Sequence, residues 1–265
     1  MEFRTIIDIP KPGFEIQPCE ELLFVGSCFA DSIGQCFLEE GFPVTVNPYG
    51  TMYNPASVHH TIERCGEAPR IVFLTLGTNH VYRLKATGEI VDNCQKRPQS
   101  LFQEEELTVS QCADYLRRAV AVLQARNPEV HVVFTVSPIR YRKYGYHESQ
   151  LSKATLLLAV TDVCALSSVG YFPAYEIVMD ELRDYRFYAA DMLHPSQQAV
   201  DYIWERLVET YFSPGAKAFL DEWRPLKQVL GHKPFRPDAV EYKALMDKTM
   251  LKVVELREKY PTFAL

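Results

Sequence analysis

Short apolar runs alternate with longer amphipathic stretches along most of the chain. The apolar runs predict strands, and the stretches whose apolar residues recur every three or four positions predict helices. The predicted strands are Leu22 to Val25, Val44 to Val46, Ile71 to Leu76, Val132 to Val136 and Val169 to Tyr171. The predicted helices are Phe29 to Glu40, Ala56 to Cys65, Glu104 to Gln124, Leu151 to Leu166 and Ala199 to Tyr211. This alternation is typical of an α/β domain with a parallel sheet.

Polar or glycine-rich segments follow each of the first four predicted strands. In a doubly wound α/β sheet, ligands bind outside the carboxyl ends of the parallel strands. The four segments are Gly26-Ser27-Cys28, Asn47-Pro48-Tyr49-Gly50-Thr51, Gly77-Thr78-Asn79-His80 and Ser137-Pro138-Ile139-Arg140. We therefore expect the functional side chains along this edge of the sheet.

The C-terminal part of the chain has a different pattern. From about Pro214, prolines separate short helical segments, and one longer helix is predicted over Glu241 to Lys259. The 265 residues, 47% of them hydrophobic, are enough to bury one large core. We expect one principal domain over 1–214 and a helical extension over 215–265 that packs on it.

Charge and cysteine usage narrow the class of protein. A net charge of -6 without a long basic run makes nucleic acid and anionic membranes unexpected partners. No run of about 18 apolar residues predicts a membrane helix, and the segment from Met1 to Pro18 lacks the apolar core of a signal peptide. Seven scattered cysteines without a Cys-x-x-Cys pair fit a reducing compartment. We expect a cytoplasmic protein that acts on a small molecule or saccharide.

An Asp-x-x-His pair near the C-terminal side is the first candidate for chemistry. Asp191 precedes His194 by three residues, and such an acid can orient an imidazole that works as a general base. In the alternative, His194 only precedes a helix that opens with Pro195, and Asp191 is a loop acid. The functional interpretation predicts that this loop lies over the end of the first strand.

Ser27 and Cys28 are two candidate nucleophiles at the point where a helix begins. The N–H groups of a helix N-terminus can stabilise an anion or lower the pKa of a thiol. In the alternative, this is a packed strand-to-helix turn with Cys28 as a small buried apolar residue. The Asp-His pair favours the functional interpretation.

Gly50 and Asn79 are candidate donors to an oxyanion. A backbone N–H and a side-chain amide from neighbouring strand ends can together stabilise the tetrahedral intermediate of acyl transfer. The alternative is that Gly50 ends a turn and Asn79 caps the next helix.

A basic cluster follows the fourth strand, where Arg140, Arg142, Lys143 and His147 share a loop. Arginine in such a loop can bind a carboxylate or phosphate of a substrate. Charged loop residues are more often simply solvated, and this alternative stays open.

The segment Phe24-Val25-Gly26-Ser27-Cys28-Phe29-Ala30 resembles the signature after which the GSCFA family is named. The resemblance extends from about Leu22 to Arg206. It is carried further by Leu76-Gly77-Thr78, Asn93-Cys94, Thr135-Val136-Ser137-Pro138-Ile139-Arg140, Gln150-Leu151-Ser152-Lys153-Ala154, Tyr171-Phe172-Pro173-Ala174-Tyr175-Glu176 and Asp191-Met192-Leu193-His194-Pro195. The GSCFA family is known as a branch of the SGNH or GDSL hydrolase superfamily.

The resemblance implies a flavodoxin-like three-layer α/β/α fold and a serine esterase mechanism. Asp191 and His194 match the superfamily's last block, and Gly77-Thr78-Asn79 matches the Gly-x-Asn of its third block. Gly50 matches the glycine donor of the second block more loosely. His80 stands where the third block usually has Asp, and we count it with Arg140 as an expected substrate-binding residue.

The first block differs from the superfamily pattern. Its Gly-Asp-Ser aligns without a gap on Gly26-Ser27-Cys28, so that Cys28 takes the nucleophile position and Ser27 that of the Asp. A shift by one residue restores serine as the nucleophile but loses the glycine spacing. We favour Cys28 over Ser27.

The expected function is an esterase that removes O-acyl groups from a small molecule or saccharide. His194, oriented by Asp191, would activate Cys28 or Ser27 to form an acyl-enzyme, with no metal or organic cofactor. Two alternatives stay open: an O-acyltransferase with the same site, and a catalytically silent saccharide-binding protein. The sequence predicts no oligomeric state.

Overall fold

A central parallel sheet and the helices that join its strands make up most of the chain. The computed structural model describes residues 4–92, 94, 96–235 and 239–265. The strands within them are β1 (Leu22–Gly26), β2 (Val44–Val46), β3 (Ile71–Leu76), β4 (His80–Leu84), β5 (Ile90–Val91), β6 (Phe102–Glu106), β7 (His131–Val136) and β8 (Val169–Tyr171). The helices are α1 (Cys28–Glu39), α2 (Pro55–Arg64), α3 (Val109–Arg126), α4 (Tyr146–Val163), α5 (Ala174–Glu176), α6 (Gln197–Tyr211), α7 (Pro214–Gly231) and α8 (Val240–Lys259). Short 3₁₀ turns cover Gln99–Leu101, Arg142–Tyr144 and Tyr185–Phe187, and a π-helical turn covers Ile177–Leu182.

Five parallel strands form the main sheet in the order β2-β1-β3-β7-β8. Counted along the chain, this is the 2-1-3-4-5 order of flavodoxin-like folds. The ligand crevice of such folds lies where the order reverses, which here is between β1 and β3. The expected three-layer α/β/α fold is confirmed.

Each face of this sheet has its own apolar core. On one face, α1, α6, α7 and α8 pack over Phe24 and Phe73, whose rings stack with centroids 4.7 Å apart. On the other face, α2, α3 and α4 pack over Leu23, Val72 and Phe134. Because neighbouring side chains of a strand point to opposite faces, a sheet covered on both sides requires the uninterrupted apolar runs seen in the sequence.

The C-terminal helices pack on the first of these cores. Phe219 in α7 contacts Phe42 with ring centroids 5.7 Å apart, and Trp223 donates its indole N–H to the Glu39 carbonyl at 3.3 Å. The short helical segments predicted after Pro214 are wrong, since α7 is one helix with a proline inside it. The division at 214 into a domain and an extension stays a prediction. Among the described residues, no helix is long and apolar enough to cross a membrane.

A second sheet, antiparallel and in the order β5-β4-β6, is absent from the elements predicted by the sequence. The helix predicted over Glu104 to Gln124 is wrong at its start, because its first residues belong to β6 and pair with β4. Helix α3 begins only at Val109, after the capping residue Thr108. Glutamate is a good helix former, so local propensity favours a helix that strand pairing overrides.

Asn93, part of the family-like segments, lies outside the described residues.

The turn from β1 to α1 passes very close to β3. Gly26 has a φ of +142°, and a Cβ there would lie 2.0 Å from the carbonyl oxygen of Thr75. Only glycine tolerates both the backbone conformation and the approach. Ser27 caps α1 by accepting from the N–H of Phe29, so that the helix starts at Cys28. The first helical residue is thereby held where the strand order reverses.

We expect Gly26→Ala to lower the free energy of unfolding by roughly 3 kcal/mol or more, because the new Cβ would collide with backbone at a strained φ. The matched control is Gly66→Ala, since a Cβ at position 66 meets nothing within 4 Å. This control should stay within about 0.5 kcal/mol of the wild type. Urea unfolding followed by circular dichroism measures both variants, and equal stability of the two would contradict the close approach.

Candidate active site

Three side chains from two distant parts of the chain lie in a row at the carboxyl end of β1. The Sγ of Cys28 lies 3.5 Å from Nε2 of His194. The Nδ1 of the same ring lies 2.6 Å from Oδ2 of Asp191. The structure thus brings together a thiol, an imidazole and a carboxylate in the order that acyl transfer by a nucleophile, a base and an orienting acid requires.

Backbone bonds fix the short loop that carries the imidazole. The N–H of Ala189 donates to the His194 carbonyl at 2.8 Å, and Met192 turns the chain with a φ of +59°. The N–H groups of Leu193 and His194 donate to Oδ1 of Asp191 at 2.8 and 3.0 Å. These N–H groups, followed by the imidazole, hold the pKa of Asp191 well below its usual range. The carboxylate therefore stays charged and can hold a proton on Nδ1 of the ring.

Helix α6 starts after this loop and does not include it. Ser196 is the N-cap, with its hydroxyl accepting from the N–H of Ala199, and Gln197 is the first helical residue. The alternative in which Pro195 opens the helix is wrong.

Neighbouring groups change the pKa of the Cys28 thiol in opposite directions. Burial is the largest and raises the pKa of the thiol, and the nearby charge of Asp31 raises it further. The N–H groups of Cys28 itself and of Phe29, at the start of α1, lower it, as does the charge of Lys153. The net direction is upward, so the resting group is a thiol. A base is needed to remove its proton, and the imidazole of His194 is in contact with it.

Ser27 has a different environment from its neighbour. Its side chain is completely buried, and its Oγ lies 3.1 Å from Oγ1 of Thr75 while capping α1 through the N–H of Phe29. The hydroxyl therefore joins the turn to β3. Of the two candidate nucleophiles, Cys28 is the one that the structure brings to His194.

The two candidate oxyanion donors are engaged elsewhere. The N–H of Gly50 donates to the Asn47 carbonyl at 2.8 Å, within a turn where Gly50 has a φ of +88°. The buried side-chain amide of Asn79 donates to the Leu107 carbonyl at 2.8 Å, and its backbone N–H donates to Oγ of Ser152 at 3.0 Å. Strand β4, not a helix, follows Asn79, so the capping alternative is wrong for this residue. The N–H of Gly50 and one N–H of the Asn79 side-chain amide are therefore engaged within the protein, while Oδ1 of Asn79 is buried without a partner among the described residues.

Arg140 binds the loop that carries His194 to the end of β7. Its N–H donates to the Leu193 carbonyl at 3.0 Å, and its Nη1 donates to the Met192 carbonyl at 3.1 Å. The guanidinium also lies over the rings of Tyr146 and Tyr188, at 4.2 and 5.3 Å from their centroids. Arg140 therefore lies close to the imidazole loop, with aromatic rings around its charge.

His80 is the first residue of β4, and Lys143 lies in the 3₁₀ turn Arg142–Tyr144, which contacts the antiparallel sheet. The ring of His80 stacks on Tyr144 with centroids 3.8 Å apart, and its Nδ1 lies 3.7 Å from Glu104. Burial lowers the pKa of His80. The ammonium of Lys143 contacts Glu104 at 3.0 Å and also the hydroxyl of Tyr82. Both side chains are therefore engaged by other groups of the protein. The other two members of the basic cluster, Arg142 and His147, are exposed.

Lys153 and Tyr141 also lie at this edge of the sheet, and sequence reasoning assigned no role to either. Lys153 is only 2% exposed, and burial lowers the pKa of its ammonium to about 7. The hydroxyl of Tyr141 is buried, and no described residue forms a hydrogen bond with it. One signal for Lys153 is present in the sequence, since it falls on the buried stripe of α4 between Ser149 and Leu156. No group of three or more metal-ligating side chains occurs among the described residues.

Solved structures with a similar fold include GDSL proteins and a carbohydrate esterase. A GDSL-like protein from Parabacteroides merdae ATCC 43184 has a TM-score of 0.50 and 13% identity, covering 76% of this chain and 100% of that one. A member of the lipolytic G-D-S-L family from Veillonella parvula DSM 2008 has a TM-score of 0.48 and 13% identity, covering 72% and 97%. A carbohydrate esterase family 3 protein from Talaromyces cellulolyticus has a TM-score of 0.43 and 12% identity, covering 75% and 96%. The first of these similarities supports the fold alone.

Family models match most of the chain, whereas no curated protein sequence matches it. The model of the GSCFA family matches residues 21–70 and 66–207, which include Cys28, Asp191 and His194. A second model, described as the C-terminal domain of GSCFA domain proteins, matches residues 223–265. The chain belongs to the GSCFA family.

Proposed function

We propose that this protein is a hydrolase that cleaves ester bonds through an acyl group carried by Cys28. The observation that carries the proposal is the row of contacts from Sγ of Cys28 to Nε2 of His194 and from Nδ1 of that ring to Asp191. The SGNH-type fold, in which the row lies at the carboxyl end of β1, adds support. Covalent acyl transfer is chemistry that uses a nucleophile, an imidazole base and an orienting carboxylate in this order.

The first half-reaction transfers the acyl group to sulfur. Nε2 of His194 takes the thiol proton of Cys28 while Sγ attacks the ester carbonyl, so that a C–S bond forms and the carbonyl π electrons move to oxygen. The charged Asp191 holds the ring and stabilises the imidazolium. When the tetrahedral intermediate collapses, the C–O bond to the alcohol breaks, and the leaving oxygen takes the proton from Nε2. The contact with His194 matters because Cys28 rests as a thiol, and a base must remove its proton as the sulfur attacks.

The second half-reaction releases the acid. Nε2 of His194 takes a proton from water as the water oxygen attacks the thioester carbonyl. The C–S bond then breaks, and the departing sulfur of Cys28 takes the proton back. One ester and one water become one acid and one alcohol, and the protein returns to its starting state.

We further propose that the alcohol portion of the ester is a saccharide or a polar ring of similar size. A cavity of about 230 Å³ adjoins the loop that carries His194. Its lining includes Arg140, Tyr185 and Tyr188. The side chain of Tyr185 is 68% exposed. Exposed aromatic rings beside a guanidinium offer an apolar face for a sugar ring and donors for its oxygens.

Replacing the thiol should remove the chemistry. We expect Cys28→Ala to lower kcat/KM for p-nitrophenyl acetate by at least about 10³-fold, because no acyl-enzyme can form. The matched control is Cys36→Ala, which removes a second thiol of α1 whose Sγ donates to the Ser32 carbonyl. Initial rates of p-nitrophenol release measure both variants.

Ser27→Ala distinguishes the second candidate nucleophile. It should keep the greater part of kcat/KM while lowering stability by about 1 kcal/mol, since it removes a helix cap. An active Cys28→Ala protein together with an inactive but folded Ser27→Ala protein would overturn the assignment of the nucleophile.

The proposed saccharide contact predicts a selective effect on binding. We expect Tyr185→Ala to raise KM for an acetylated oligosaccharide roughly three- to ten-fold, from the loss of about 1 kcal/mol of ring contact, without raising KM for p-nitrophenyl acetate. Tyr242→Ala, in helix α8 and outside the lining of the cavity, is the control. Equal KM values of Tyr185→Ala and wild type for the oligosaccharide would contradict the assignment of this cavity.

A further inference from the structure

A buried ammonium lies at the ends of β3 and β7 and has no part in the steps above. Nζ of Lys153 donates to the carbonyls of Gly77 and Ser137, each at 2.7 Å. These two residues directly follow β3 and β7, so the ammonium joins the ends of two neighbouring strands. Among the described residues, no carboxylate forms an ion pair with it. Burying an unpaired cation is unfavourable, which explains why its pKa is lowered to about 7.

The phenol of Tyr141 lies beside Gly77, at the end of β3, the strand that pairs with β1 up to Gly26. Its ring centroid is 5.2 Å from Nζ of Lys153, and its ring meets that of Tyr53 edge to face with centroids 6.0 Å apart. The hydroxyl fits beside Gly77, where a Cβ would lie 2.3 Å from the hydroxyl oxygen. That hydroxyl is buried and has no hydrogen-bond partner in the part of the chain that the structure describes. An unpartnered buried donor is unfavourable in the resting state and becomes useful when an acceptor forms next to it.

The charges connect this pair with the thiol. Burial has the largest effect on the pKa of all three groups, since it raises the pKa of Tyr141 and of Cys28 and lowers that of Lys153. Beyond burial, a negative charge on Cys28 raises the pKa of Tyr141 and of Lys153, and the positive charge of Lys153 lowers the pKa of Cys28. An anion formed at Cys28 is therefore stabilised while Lys153 keeps its proton.

The proposed ester cleavage needs a donor for the oxygen that becomes negative when Sγ attacks. The N–H groups at the start of α1 face the sulfur. The N–H of Gly50 is engaged in a turn, and one N–H of the Asn79 side-chain amide is engaged with Leu107. At the end of β3, beside Gly77, the hydroxyl of Tyr141 is a buried donor without a partner among the described residues.

We propose that the Tyr141 hydroxyl donates a hydrogen bond to the oxyanion formed at Cys28, and that Lys153 positions Tyr141 and supplies the positive charge behind it. This inference rests on the proposed function. The C–S bond forms, the thiol proton goes to His194, and the carbonyl π electrons become the oxyanion that Tyr141 binds. Tyr141 keeps its own proton throughout. Tyr141 is thus a catalytic residue, and Lys153 is a positioning residue.

Tyr141→Phe tests the donor. Removing one oxyanion donor should lower kcat for p-nitrophenyl acetate by about 10²-fold with little change in KM. The melting temperature should stay the same or rise, because the substitution removes a buried hydroxyl without a partner. If Tyr141 had a purely structural role, Tyr141→Phe would lower the stability and leave kcat unchanged. The control is Tyr211→Phe, which removes the hydroxyl of a buried core tyrosine packed on Phe73 and Phe172.

Lys153→Met tests the charge without relying on ester cleavage. The rate of Cys28 alkylation by iodoacetamide, followed by peptide mass spectrometry across pH, reports the thiolate fraction. The profile of Lys153→Met should be displaced to higher pH relative to wild type. Circular dichroism confirms that the variant is folded, and Lys227→Met, a lysine paired with Glu40, serves as the control.

The outcomes separate this inference from the proposed function. Wild-type protein that cleaves no ester would contradict the proposed function, while the alkylation profiles would still test the charge of Lys153. Wild-type activity matched by Tyr141→Phe would overturn the donor role and leave the ester hydrolase standing. Coincident alkylation profiles of wild type and folded Lys153→Met would overturn the role of the ammonium.

Discussion

The close approach of the β1–α1 turn to β3 is the constraint on which the site depends. Gly26 allows the backbone to pass against the Thr75 carbonyl, where any side chain would collide. Ser27, the next residue, is then turned inward to Thr75, and Cys28 is left as the first residue of α1, facing the crevice. Because the sheet order reverses between these two strands, the crevice opens directly in front of the thiol. The order of three small residues thus decides which side chain reaches His194.

Around this point, the site divides into an exposed side and a buried side. The imidazole and its carboxylate lie on an exposed loop, where backbone N–H groups and Arg140 fix them instead of packing. The ammonium of Lys153 and the phenol of Tyr141 lie beneath the strand ends, where low polarity strengthens every charge interaction. In the proposed reaction, proton transfer would take place on the side that water reaches, and the oxyanion would form against the side that water does not reach. This division suits acyl transfer, which needs a mobile proton and a preorganised environment for the oxyanion.

The sequence predicts the strands and helices that follow a regular pattern of apolar residues. It misses the elements and contacts that depend on packing between residues far apart in the chain. Continuous apolar runs such as Ile71 to Leu76 belong to a sheet covered on both faces, so the main sheet could be predicted with nearly correct strand bounds. The pairing of Asp191 with His194 follows from their short spacing. The β4–β6 sheet could not be predicted, because a glutamate-rich strand has the composition of a helix. The buried contacts of Lys153 join α4 to two strand ends far away in sequence, and no local pattern encodes such a meeting.

The proposed function depends on Cys28 carrying the acyl group during turnover. The most direct measurement is peptide mass spectrometry of the protein quenched with acid during turnover of p-nitrophenyl acetate. We expect one acetyl group on the peptide that contains Ser27 and Cys28, located on the sulfur by fragmentation. An acetyl group on Ser27, or ester cleavage without any acetylated peptide, would contradict it.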